Sequence, residues 1–83
     1  MRPTYPHTLA DVVHAVDGFL GTVVGDLPDG SIWVLRRQRR TQVYTLVHYD
    51  SPARKTRLAE EEFADRRAAV NAMASAIGLH ERL

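Results

Sequence analysis

The stretch Ile32-Trp33-Val34-Leu35-Arg36-Arg37-Gln38-Arg39-Arg40-Thr41-Gln42-Val43-Tyr44-Thr45-Leu46-Val47 decides how this chain is read. Ile32 to Leu35 and Val43 to Val47 are two runs of mostly β-branched, aromatic and aliphatic residues, and the residues between them are polar. Such side chains pack well on a pleated surface, so the pattern predicts a β-hairpin with Arg36, Arg37, Arg39 and Arg40 at its tip. A tip loop of Gln38 to Thr41 sets Leu35 opposite Tyr44 and Trp33 opposite Leu46. Successive side chains of a strand alternate between faces. Trp33, Leu35, Tyr44, Leu46 and His48 therefore share one face, and Ile32, Val34, Val43, Thr45, Val47 and Tyr49 share the other. Both faces are largely apolar, so both need cover.

Upstream, Leu9, Val12, Val13, Val16, Phe19 and Leu20 recur at helical spacing. They predict a helix over 8–20, with Thr8 as N-cap, Asp11 completing a capping box and Gly21 as the stop. His14 and Asp17 fall off this stripe. Thr22 to Gly25 reads as a short strand. Asp26-Leu27-Pro28-Asp29-Gly30 reads as a turn, because proline presets φ and glycine permits positive φ. Residues 1–7, with Pro3 and Pro6, are expected to form an extended arm.

Downstream, Ser51-Pro52 breaks the second hairpin strand. Arg54 to Ala59 reads as an edge strand made polar by Arg54, Lys55 and Arg57, and Glu60-Glu61-Glu62 as an exposed run. A last helix is expected from about Asp65, with the stripe Ala69, Val70, Met73, Ala74 and Ile77, the stop Gly78, and Leu79 packing back. The order predicts one α+β domain over 1–83: an N-terminal helix, a three- to four-stranded antiparallel meander and a C-terminal helix. The helices can both cover one face of the meander, leaving the other bare, or take one face each.

At 83 residues the chain buries only about 60–65% of its unfolded surface, so self-association would help it. With 45% hydrophobic and 25% charged residues it belongs with globular domains. It has no cysteine, which excludes disulfides, thiolate metal sites and cysteine catalysis. No run of 18 apolar residues predicts a membrane-spanning helix, and Met1 to Pro6 lacks the apolar core of a signal peptide. A cytoplasmic protein is expected.

Catalytic chemistry finds little to stand on. His7, His14, His48 and His80 fall in four separate segments, so no metal site is expected. Ser31, Ser51 and Ser75 lack the turn that presents a nucleophile. Adjacent glutamates point in different directions, which makes a poor acid–base pair, and there is no glycine-rich phosphate loop. The chain is therefore read as a non-enzyme without a cofactor.

Charge is more informative. The net charge is +1, yet residues 31–57 carry six arginines and a lysine against Asp50, while both flanking segments are net acidic. Arginine pairs bidentately with phosphates and guanine edges, and a two-stranded ribbon fits a major groove. This points to a small regulatory protein binding nucleic acid, DNA more than RNA, through Arg36, Arg37, Gln38, Arg39, Arg40, Arg54, Lys55 and Arg57. The competing class is a protein-interaction module or homodimer, whose interface would draw on Trp33, Leu35, Tyr44, Leu46 and Tyr49. In that case the arginines meet an acidic protein surface or simply solvate the tip.

The strand meander followed by Phe63-Ala64-Asp65-Arg66-Arg67-Ala68-Ala69 resembles the arm-site DNA-binding domains of tyrosine recombinases over roughly residues 31–77. There a strand ends in phenylalanine and a polar turn opens an alanine-rich helix. The helix over 8–20 has no counterpart in that pattern. The order α-β-β-β-α is also similar to double-stranded-RNA-binding domains, although Asp65-Arg66-Arg67 stands where those have a lysine-rich helix start. Both resemblances imply nucleic-acid binding.

Overall fold

Thr8 opens the first helix, α1 (Leu9–Asp17), by the expected device. Its hydroxyl accepts from the Asp11 N–H at 3.2 Å, and the Asp11 carboxylate accepts from the N–H groups of Thr8 at 3.2 Å and His7 at 2.8 Å. This computed structural model describes residues 6–83, so the first five residues of the expected arm lie outside the described residues. The helix ends at Asp17 and not at Leu20. Gly18, with φ −70° and ψ 177°, is extended and turns the chain out of the helical path. Phe19 and Leu20, expected on the buried stripe, are instead each 81% exposed. Gly21 takes φ +64° to lead into the sheet, a conformation that costs glycine little.

Four strands follow: β1 (Thr22–Asp26), β2 (Ile32–Arg37), β3 (Tyr44–Tyr49) and β4 (Arg57–Phe63). They form one antiparallel sheet in the order β1-β2-β3-β4, and α2 (Arg66–Ala76) closes the chain. The fold is the expected α+β arrangement with the full count of four strands. The hairpin register is displaced by two residues from the expected one: Leu35 stands opposite Leu46, and Trp33 opposite His48. The loop is longer than predicted because the Gln38 N–H donates to the Val43 carbonyl at 2.8 Å, with Gln42 turning at φ 56°. A slip of two keeps every side chain on its face, so the division of faces is as expected.

The strand read at Arg54 to Ala59 runs instead from Arg57 to Phe63 and takes Glu60, Glu61 and Glu62 into the sheet. It pairs with β3 from Tyr49↔Arg57 to Tyr44↔Phe63 through a bulge at His48/Tyr49. As an edge strand it needs little apolar character, and all of it but Phe63 is exposed.

Both helices lie on the face that carries Leu35, Tyr44 and Leu46. There Val12 and Val16 of α1 and Ala69, Val70, Met73 and Ala74 of α2 join them and Val23 in the core. Trp33 lies on the same face, stacked on His48 with ring centroids 4.3 Å apart. Gly25 lets α2 end against β1, since a Cβ there would lie 2.6 Å from Ile77 Cγ2. Asp65 caps α2 by accepting from the Ala68 N–H at 3.2 Å. Gly78, at φ +84°, ends that turn, and the Leu79 N–H donates back to the Ala74 carbonyl at 2.8 Å. Among the described residues no helix is long and apolar enough to cross a membrane.

Candidate functional site

Arg36 and Arg37, the last two residues of β2, part company because strand alternation sends neighbours to opposite faces. Arg37 follows Leu35 to the helix side, where its Nη2 donates to the Gly18 carbonyl at 3.1 Å and its side chain lies against Gly21. Arg39 donates to the Phe19 carbonyl and holds its guanidinium 4.6 Å from the Phe19 ring centroid. These two cations hold the carbonyls of Gly18 and Phe19, just past the C-terminal end of α1, where the helix dipole is negative.

Arg36 follows Val34 to the face that no helix covers among the described residues. There Arg36, Arg54 and Arg57 come together from β2, from the loop after β3 and from β4. With Gln38, Thr45, Tyr49 and Glu60 they line a hollow of about 130 Å³ floored by Val34 and Val47. The loop that delivers Arg54 is closed by the Asp50 N–H donating to Thr56 at 3.1 Å and the Arg54 N–H donating to Ser51 at 3.0 Å. Arg54 itself takes φ 58°, a left-handed conformation uncommon for a long side chain. Its guanidinium lies 5.9 Å from the Tyr49 ring centroid. Arg57 donates to Glu60 at 2.8 Å, but both side chains are about half exposed, so this bond is worth at most about 1 kcal/mol. The hollow thus gathers three guanidinium groups against one carboxylate. Arg40 and Lys55 are exposed at the tip and in the Arg54 loop.

Ile32, Val34 and Val47 are only 2%, 6% and 6% exposed, although they lie on the face opposite the two helices. Val34 and Val47 share their hollow with Arg36, Arg54 and Arg57, long side chains whose methylene stems cover apolar surface while the charged heads stay in water. Of the aromatic and aliphatic residues considered for an interface, Leu35, Tyr44 and Leu46 are buried beneath the helices. Trp33 is half-buried against the same core, and Tyr49 alone lies on the open face.

Sequence reasoning missed a second basic cluster. Arg66, the first residue of α2, donates to both Asp17 oxygens, at 2.9 and 2.6 Å. That pair holds the Asp17 carboxyl below the usual carboxylate range and raises Arg66. Beside it Arg37, Arg39, Gln42 and Tyr44 complete a cleft of about 610 Å³. The signal was slight, since Arg66 follows a helix cap and Asp17 is 49 residues away in sequence. Among the described residues no three histidine, cysteine, aspartate or glutamate side chains come together as metal ligands do.

Fold and surface define a small α+β protein, with two helices on one face of a four-stranded meander and an arginine-lined hollow on the other. Compared with protein families, with curated proteins and with solved structures, the chain matches none.

Proposed function

We propose that this protein is a small non-enzymatic regulator that binds nucleic acid through the open face of its sheet and the adjoining hairpin tip. The observation that carries the reading is the convergence of Arg36, Arg54 and Arg57, from separate elements, around one hollow with Gln38 and Tyr49. Guanidinium groups meet phosphates in bidentate geometry, and an aromatic ring offers a base a face to stack on. Internal pairing is a weak reason to gather these cations, because exposed ion pairs contribute only about 0–1 kcal/mol each.

The test is fluorescence anisotropy with labelled duplex DNA and RNA over a series of salt concentrations. Each phosphate contact contributes about 0.9 to the slope of log K against log salt for duplex DNA. Replacing Arg36, Arg54 and Arg57 together by Ala should therefore flatten that slope by nearly three units. Replacing Arg37 should leave it unchanged, because that side chain faces α1. No binding of the parent to either nucleic acid at low salt overturns the proposal. A protein-interaction module is the second reading, favoured by the exposure of Phe19 and Leu20.

A further inference from the structure

The two edges of the sheet are built differently. β4 carries Glu60, Glu61 and Glu62 and begins at a bulge, both of which discourage another strand from adding to it. β1, Thr22-Val23-Val24-Gly25-Asp26, has no lysine, no proline and no bulge, and its only charge is at its last residue. No strand lies on its outer side among the described residues.

The hydrogen bonds at its two ends show which groups face outward. The Arg37 N–H donates to the Gly21 carbonyl at 2.8 Å, and the Leu27 N–H donates to the Ser31 carbonyl at 2.9 Å. In an antiparallel pair the residues that exchange bonds with the partner recur every second position. Gly21, Val23, Gly25 and Leu27 therefore face β2. Thr22, Val24 and Asp26 turn their N–H and C=O groups to the free edge. Phe19 and Leu20, at 81% exposure, stand just before this edge, and half-buried Leu27 and exposed Pro28 just after it.

We infer that β1 is a homodimerisation edge, and that its partner is the β1 of a second copy of this chain, paired antiparallel about Val24. A two-fold axis through Val24 sets Val24 against Val24 and Thr22 against Asp26 of the other copy. All three outward-facing residues of each strand then exchange both backbone bonds, and no like charges oppose one another. Shifting this pairing by two residues leaves one of the three without its partner. The same axis brings Leu20 of each copy to the Leu27–Pro28 turn of the other, so the apolar residues flanking β1 cover one another. Such an interface is isologous, as closed dimers require, and it unites the two sheets with both open faces on one side. A second copy suits this edge because the chain itself carries apolar residues at both ends of β1, which antiparallel two-fold pairing sets against one another, and because it places Thr22 rather than a second carboxylate opposite Asp26.

Size-exclusion chromatography with light scattering tests this on the full chain. The parent should have twice the 9.3 kDa chain mass. Val24→Lys, which sets two like charges face to face, should raise the dissociation constant at least tenfold. Val24→Pro should do the same while keeping a cooperative melt, because the N–H it removes points away from β2. The chain has no cysteine of its own, so Val24→Cys reads the register directly. Cα atoms of a hydrogen-bonded pair lie about 5.5 Å apart, within disulfide range. Val24→Cys should oxidise to a covalent dimer at least tenfold faster than Leu58→Cys on β4. If Val24→Lys does not fold, the proline variant and this oxidation rate decide. A parent of 9.3 kDa at millimolar concentration overturns the inference. So does a dimer that withstands both substitutions, or equal oxidation at the two positions.

Discussion

The two faces of the sheet are equally apolar in sequence and are covered by different means. On one, Leu35 and Leu46 meet the side chains of two helices, and the packing is hydrocarbon against hydrocarbon. On the other, Val34 and Val47 lie beneath Arg36, Arg54, Arg57 and Tyr49. Helical cover is dry and rigid. Arginine cover is charged and wet at its outer ends. Burial alone does not separate the two, since Leu35 and Val34 are both buried. The chemistry of what lies on top does.

The largest expected effect compares the two floors. Leu35→Ala should cost about 2–5 kcal/mol, because a cavity under two helices closes poorly. Val34→Ala removes two methyl groups, worth about 1.5 kcal/mol by transfer alone, and the flexible arginines above should collapse onto the space. Urea denaturation of both variants measures the difference. Equal costs per methyl group removed would show the open face to be as rigidly packed as the other.

A smaller effect separates the arginines. Arg37→Ala should cost about 1.5–3 kcal/mol in the same measurement, since it removes a charged donor from the half-buried end of α1. Arg36→Ala should change stability by less than about 0.5 kcal/mol, as surface substitutions do. If Arg36 proved the costlier of the two, the division of the tip into a structural and a free half would fail.

The smallest concerns the Asp17–Arg66 pair, which ties α1 to α2. Arg66 lowers the folded pKa of Asp17, so the pair stabilises the protein above the unfolded carboxylate range near pH 4. That contribution is lost as pH falls through the lowered folded value. Both side chains are roughly 40–45% exposed, so solvent limits it to about 1 kcal/mol or less. Asp17→Asn should therefore melt a few degrees below the parent at pH 7 and together with it near pH 2. A gap that persists in acid would mean that the carboxylate charge is not what matters.

Much of this was legible in the chain. The Thr8–Asp11 capping box, the Asp65 cap, the α2 stripe from Ala69 to Ala74 and the Gly78 stop all rest on residues within a turn or two of one another. The end of α1 was misread because Phe19 and Leu20 continue the helical spacing past a glycine. Nothing local states that the chain leaves the helix at Gly18, whose neighbours are then held by Arg37 and Arg39 from a distant loop. The hairpin register slipped by two because the loop length depends on Gln42 adopting a left-handed turn, which its residue type alone does not demand.

By itself the sequence determined the order and type of the elements, the N-caps Thr8 and Asp65 and the partition of β2 and β3 into two faces, because these follow from backbone periodicity and bonds to near neighbours. Only the tertiary structure decided that both helices choose the same face and that the last strand takes in Glu60, Glu61 and Glu62. It alone sent Arg37 and Arg39 to the end of a helix and Arg36 to an open hollow. Those outcomes depend on contacts between residues far apart in sequence, where a side chain's role is set by what the fold brings against it.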